Sequence, residues 1–321
     1  MKKKVFFIDH NEGGRLANQL WPYISVYAYC LEKKYEIENF SFFQYAEYFQ
    51  NKTSNIIALF INKIFYFLKK ITRPKYHGQL LRRYRVIYKT IIKLIFSFCK
   101  IRIEAPDLPN VKPRIIYLPP TKNYDKRFEL FEKDKSKILL LNGWLFRNPE
   151  GLKRYHCEII NYFKPKKDIA EKVDNFINNI RRNYKKIVGV HIRQGDYKNK
   201  FLNGRYYFNE KEVNVILNEY LKLASEEKSK IFFIVCSDED VDLKYFPDLN
   251  IGKSIFKNPV EDLYLLAATD LIIGSNNTFG TLASYFGNIP FIVFQRERID
   301  WEYYKNKNEY FENKYSTFVW Y

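Results

Sequence analysis

From residue 169 onward, apolar positions switch regularly between two periods. Ile169, Val173, Phe176, Ile177 and Ile180 recur every three or four residues, which is the spacing of one helix face. A continuous apolar run over 187–192 follows, as short as a buried strand. Val213, Ile216, Leu217, Tyr220, Leu221 and Ala224 restore the helical period, and the run IFFIVC over 231–236 predicts a second strand. The pattern repeats with a helix over 260–269, a strand over 271–274, a helix over 279–287 and, after Pro290, a strand over 291–294. Strand and helix in alternation fold most simply as a parallel sheet, with the ligand crevice outside the carboxyl ends of its strands.

The first half reads less cleanly. A strand over 5–9 leads into the polar, glycine-bearing stretch HNEGGRLANQL and then a helix from about Asn18 to Lys33, the opening of a βα unit. Prolines at 106, 109, 113, 119 and 120 interrupt the middle, and KILLLNGW over 137–144 predicts another strand. Pro165 and its flanking lysines mark a boundary. The expected organisation is therefore α/β with two Rossmann-like domains, 1–165 and 166–321, and the C-terminal segment has the option of returning to the first domain.

Composition sharpens this picture in two places. The four cysteines are widely spaced with no CxxC pair, which argues against a zinc cluster or disulfide framework and fits a reducing, cytoplasmic compartment. The net charge of +18 is unevenly spread. Between Tyr48 and Ile103 there is no Asp or Glu but there are thirteen Lys or Arg, which predicts a basic helical insertion over about 48–103. Arg82, Arg85, Lys89, Lys93 and Lys100 form a basic stripe beside apolar residues, consistent either with a helix lying on anionic membrane or with a buried helix that has a solvated edge. No nucleic-acid-binding module accompanies the charge. The longest apolar candidate, over 56–68, is cut by Asn62 and Lys63, so no spanning helix is expected.

Three polar clusters sit at predicted carboxyl ends of strands. In HIRQGDY, His191 and Arg193 share one strand face and Asp196 follows a glycine. In GSNNTFG, Asn277, Thr278 and Phe279 stand at a helix start, where backbone N–H groups can donate to an anion; an ordinary N-cap explains the same residues. In CSDED, Asp238, Glu239 and Asp240 form a DxD pattern that could hold a divalent metal or be a solvated acidic loop. A diphosphate ligand would use an arginine, an anion-binding turn and carboxylates together.

The combination resembles the α-1,2-fucosyltransferases of glycosyltransferase family 11 and the wider superfamily that includes α-1,6- and protein O-fucosyltransferases. Its GxLGNQ start is matched by GRLANQL from Gly14, its HxRRxD by His191, Arg193 and Asp196, its FSDD by CSDED, and its IIANSTFSWWGA by IIGSNNTFGTLAS. The elements occur in family order. Ala17 replaces the second glycine, Gln194 the second arginine, and Thr281-Leu282 the tryptophan pair.

The resemblance implies a GT-B fold, GDP-fucose as donor bound mainly by the second domain, a glycan acceptor at the first, inversion at the sugar carbon, and no metal or other cofactor. It implies Arg193 as stabiliser of the leaving diphosphate, and His191, Asp196, Asn18, Asn277, Thr278 and Phe279 around the donor. Asp238 or Asp262 would accept hydrogen bonds from guanine or ribose. Some protein O-fucosyltransferases place a glutamate before the glycine turn as base, which here is Glu12. Metal-dependent transfer through the DxD, or a non-catalytic basic protein that binds lipid or nucleic acid, are the other readings.

Overall fold

In a computed structural model of the chain, the described residues are 3–7, 15–39, 45–51, the helical positions 59, 60, 63, 64, 67, 70 and 90, then 115–117, 138–142, 148–198, 202–256 and 258–316. The chain divides into two compact units, Met1–Lys164 with Tyr321, and Pro165–Trp320.

In the first unit, β1 (Lys4–Phe7), β2 (Glu36–Asn39), β3 (Ile115–Tyr117) and β4 (Ile138–Asn142) pair in parallel in the order β2-β1-β4-β3. Helix α1 (Leu16–Lys33) connects β1 to β2 and stops at Lys34, whose left-handed backbone (φ 55°) turns its N–H back onto the carbonyls of Cys30 and Leu31. It buries Leu20, Trp21, Tyr23 and Ile24. Two short helices, α2 (Pro149–Arg154) and α3 (His156–Tyr162), pack against it. Tyr23 sits edge-on to Phe163 at 5.9 Å between ring centres, and its hydroxyl meets that of Tyr162 at 3.3 Å. The glycine turn, Glu12 and most of the basic insertion lie outside the described residues.

The second unit follows the alternation read from the sequence. Strands β5 (Lys186–Ile192), β6 (Ile231–Ser237), β7 (Ile251–Lys253), β8 (Leu271–Gly274) and β9 (Phe291–Val293) form an all-parallel sheet in the order β7-β6-β5-β8-β9. Helix α4 (Lys167–Arg181) precedes β5, and helices α5 (Glu210–Leu223), α6 (Pro259–Ala267) and α7 (Thr278–Gly287) make the crossovers from β5 to β6, β7 to β8 and β8 to β9. The first connection runs outward from β5 through β6 to β7, and the chain then returns to the other side of β5 for β8 and β9. The strand order reverses there. At such a reversal the two flanking crossovers diverge and leave a crevice at the carboxyl ends of β5 and β8.

Strand alternation explains the coverage of both faces. Val188, Val190 and Ile192 pack with Val213, Leu217 and Tyr220 of α5 and with Ile299 and Tyr304. The opposite face of β5 meets α6: a Cβ on Gly189 would lie 2.8 Å from the Leu266 side chain. Fully burying each of these aliphatic side chains contributes ~1.5–3 kcal/mol, so the sheet centre is a rigid base for whatever stands at its end. As far as Ser316 the C-terminal segment packs on this unit, with Ser316 Oγ 3.3 Å from Thr281 Oγ1 and the Tyr315 carbonyl accepting from Asn276 Nδ2 at 3.1 Å. Among the described residues, no helix is long and apolar enough to cross a membrane.

Candidate functional site at the strand-order reversal

The ladder between β5 and β8 ends at the pair His191–Gly274. Gly274 is required by proximity, since a Cβ there would stand 2.6 Å from the His191 carbonyl oxygen. Past this pair the backbone N–H of Arg193 donates to Ser275 Oγ at 2.9 Å, so a side chain extends the pairing where the strands part.

His191 projects toward α7 and is buried, at 6% exposure. Asn277 caps α7: its Oδ1 accepts from the N–H groups of Phe279 and Gly280 at 2.9 and 3.0 Å. Those contacts fix the amide orientation, so its Nδ2 is the group 3.1 Å from His191 Nδ1 and is the donor. Nδ1 therefore accepts, and the ring proton belongs on Nε2. Burial, and secondarily the Arg193 guanidinium, push the imidazole down to about 3, against a smaller opposing effect of Asp238. His191 is neutral at physiological pH and can only donate one hydrogen bond. The half-buried Phe279 ring lies beside it, 5.0 Å between centres.

Arg193 leaves the strand end between two carboxylates. Nη1 meets Asp238 Oδ2 at 2.8 Å and Nη2 meets Asp196 Oδ1 at 2.6 Å. The two are unequal: Asp238 has a side-chain exposure of 15%, like Arg193 itself, whereas Asp196 is 47% exposed. Asp238 is further held by the Gln194 N–H, which donates to its Oδ1 at 2.9 Å. Gly195 lets this carboxylate close in, because a Cβ at 195 would sit 2.7 Å from Asp238 Oδ2. The glycine in HIRQGDY thus makes room for an acid from another strand. Tyr197 ties the same loop to the β8–α7 turn, its hydroxyl donating to the Asn276 carbonyl at 3.0 Å.

Asp262, in the first turn of α6, is placed with Ser254 after β7 and Cys236 on β6: Ser254 Oγ donates to Asp262 Oδ1 at 2.5 Å. Burial pushes the Asp262 carboxyl up to about 6, against hydrogen bonds from Ser254 and Cys236. The same burial, with Asp262 nearby, raises the Cys236 thiol well above its usual range.

The remaining DxD carboxylates do not converge. Asp240 pairs with Lys253 Nζ at 2.7 Å while Asp238 pairs with Arg193. Among the described residues no group of three or more His, Cys, Asp or Glu is arranged to hold a metal ion. The sheet end thus brings together His191, Arg193, Asp196, Asp238, Asn277 and Phe279, with Thr278 in the same helix start. Asn18 stands in the first turn of α1, in the other unit. Glu12 lies outside the described residues.

Neither a protein-family model nor a curated relative matches the chain. Solved structures do. NodZ α-1,6-fucosyltransferase soaked with GDP-fucose superposes with a TM-score of 0.53 at 14% identity, over 94% of this chain and 97% of that one. A point mutant of Arabidopsis thaliana FUT1 in complex with GDP gives 0.53 at 13% identity, over 93% of this chain and 72% of that one. The chain has the GT-B fold of these fucosyltransferases. NodZ co-crystallised with GDP matches similarly, at 0.50 and 14% identity over 92% and 96% of the two chains.

Two participants were not legible in the sequence. Ser275 looks like a turn residue until its hydroxyl is seen to accept from Arg193, and Tyr197 like an ordinary core aromatic until its hydroxyl is placed. Only its position directly after a strand end marked Ser275.

Proposed function

We propose that this protein is a GDP-fucose-dependent fucosyltransferase that inverts the sugar carbon and transfers fucose to a hydroxyl of a glycan, in bacterial surface-glycan synthesis on the cytoplasmic side. The observation that carries this reading is the Arg193 guanidinium, oriented by a half-buried carboxylate at the strand-order reversal of a fold shared with fucosyltransferases that were crystallised with GDP or GDP-fucose. An arginine that is positioned beforehand stabilises charge developing on a leaving phosphate without reorganising during the reaction.

In this reading the acceptor oxygen bonds to the sugar carbon as the bond from that carbon to the β-phosphate oxygen breaks. GDP departs with the electron pair, and the acceptor proton goes to a base. Arg193 meets the diphosphate after exchanging its exposed partner Asp196, and keeps Asp238. His191 donates through Nε2–H. Asn277 has both ends of its carboxamide engaged and acts by positioning, while Thr278 and Phe279 border the phosphates and ribose. Asp262, or Asp238 while it still holds Arg193, accepts from guanine or ribose, and Asn18 is a contact to substrate or diphosphate. Glu12 is the proposed base, tested by comparing Glu12→Gln with Asp9→Asn: only the former should lose turnover while still binding GDP-fucose.

The deciding assay follows GDP released from GDP-fucose, with and without a glycan acceptor and with and without EDTA. The expected result is acceptor-stimulated release that EDTA leaves unchanged. Loss with EDTA, restored by manganese or magnesium, would transfer the role to the DxD carboxylates; no release from any GDP-sugar would leave a non-catalytic binding protein.

A further inference from the structure

Leu59, Phe60, Lys63, Ile64, Phe67 and Lys70 are helical, and the successive spacings of three, four and three put Phe60, Lys63, Phe67 and Lys70 on one side of a helix. All four are exposed. Phe60 and Phe67, at 60% and 62% exposure, are among the few large apolar side chains among the described residues that face water. Two phenylalanines projecting beside lysines are a poor surface for a protein that remains in bulk water, since each ring forgoes ~1.5–3 kcal/mol of burial. They suit a boundary where apolar tips enter hydrocarbon and ammonium groups stay at the level of anionic headgroups.

We infer that this helix face docks on an anionic lipid surface. The argument from charge is independent of the argument from exposure. The 48–103 segment that contains the helix holds thirteen Lys or Arg and no Asp or Glu between its ends, so no acid along that stretch offsets the attraction of a negative leaflet. A second copy of the chain would bring like charges together. Nucleic acid would be served by the lysines, but no recognisable binding module accompanies them, and a duplex keeps its bases stacked on one another rather than on two exposed phenylalanine rings.

The test uses the full chain and flotation with vesicles of phosphatidylcholine alone or mixed with phosphatidylglycerol, at low and high salt. Binding should require phosphatidylglycerol and weaken as salt shortens the screening length from about 10 Å at 0.1 M to about 3 Å at 1 M. Phe60→Ser with Phe67→Ser should abolish flotation, and Lys63→Gln with Lys70→Gln should weaken it about fivefold per lysine. Both pairs should retain the wild-type thermal midpoint and GDP-fucose affinity, which separates this surface from the donor site. The inference is overturned by absence of binding to mixed vesicles, by equal binding to phosphatidylcholine, or by either variant pair floating like wild type. Binding of a DNA duplex that both lysine and phenylalanine pairs reduce, with no flotation, would assign the face to nucleic acid instead, and loss of a dimer in the phenylalanine variant would assign it to a second copy.

Discussion

The two loops that border the reversal point are held in opposite ways. The β8–α7 turn is fixed by neutral, buried hydrogen bonds: Asn277 caps the helix, donates to a neutral His191, and its carbonyl accepts from Thr281 Oγ1 at 2.9 Å. The loop after β5 is held by charge, with Arg193 between Asp196 and Asp238. A neutral network in a dry setting resists change, whereas ion pairs exchange partners when a stronger anion arrives. One side of the crevice is therefore a fixed wall, and the other a clamp that a diphosphate can engage.

Removing the clamp should have the largest effect. Arg193→Ala is expected to lower turnover about 100- to 1,000-fold with the fold intact; Arg193→Lys should also fail, because a point charge cannot reproduce the planar fork. Near-normal rates in either folded variant would end the assignment.

Next comes the half-buried holder, Asp238. Asp238→Asn keeps an acceptor for Gln194 but loses the ion pair, and a guanidinium misplaced by about 1 Å should cost on the order of 10- to 100-fold in kcat. If Asp238 only positions Arg193, the Arg193→Ala/Asp238→Asn double variant should be no slower than Arg193→Ala. Additive losses would instead mark Asp238 as a contact to the donor.

The titrating groups predict a smaller, opposed pair of effects. The His191 pKa is depressed to about 3 in the fold, so between 6.5 and about 3 the unfolded chain binds the proton more readily, and stability falls as pH drops, by at most ~1.4 kcal/mol per unit. The Asp262 pKa is raised from 3.8 to about 6, so in that window the folded state binds the proton more readily, and stability rises as pH drops. The contributions offset between pH 6 and 4. Thermal melts of Asp262→Asn should expose the acid sensitivity of His191, with a midpoint falling several degrees further than wild type over those two units, at ~2–4 °C per kcal/mol. Parallel curves would refute the opposition.

Asp196 should matter least. As an exposed partner its pair contributes ~0.2–1 kcal/mol, so Asp196→Asn should change turnover less than about fivefold and, by removing a negative charge beside the donor phosphates, increase the salt dependence of GDP-fucose binding. A loss as large as that of Asp238→Asn would collapse the distinction between wall and clamp.

The sequence displayed the second unit better than the first, for a physical reason. Strands β5, β6 and β8 are covered on both faces and so read as continuous apolar runs. By contrast β2 reads EIEN, β3 is three residues long among prolines, and β7 is a three-residue edge strand containing glycine, so each gains its strand character from its neighbour. The residue types at the site were legible because they crowd strand ends. Their pairings were not: Asp238 and Arg193 are 45 positions apart, and only the parallel register His191–Cys236 and Ile192–Ser237 brings them level. For the same reason the sequence alone left the DxD tripeptide open between a metal ligand and a solvated loop, whereas in the fold its two aspartates pair with different cations.

The hydroxyl that continues the β5–β8 pairing past its last backbone rung also gives the crevice a built-in clock. The Arg193 amide proton rests on Ser275 Oγ, at the point where the strands separate. Its replacement by deuterium requires only that this one contact open, whereas the amides within the β5 ladder wait for a much larger excursion of the sheet. Deuterium uptake at residue 193, measured against its neighbours in the strand, therefore times the parting of the two strand ends directly, in a protein that need not be turning over.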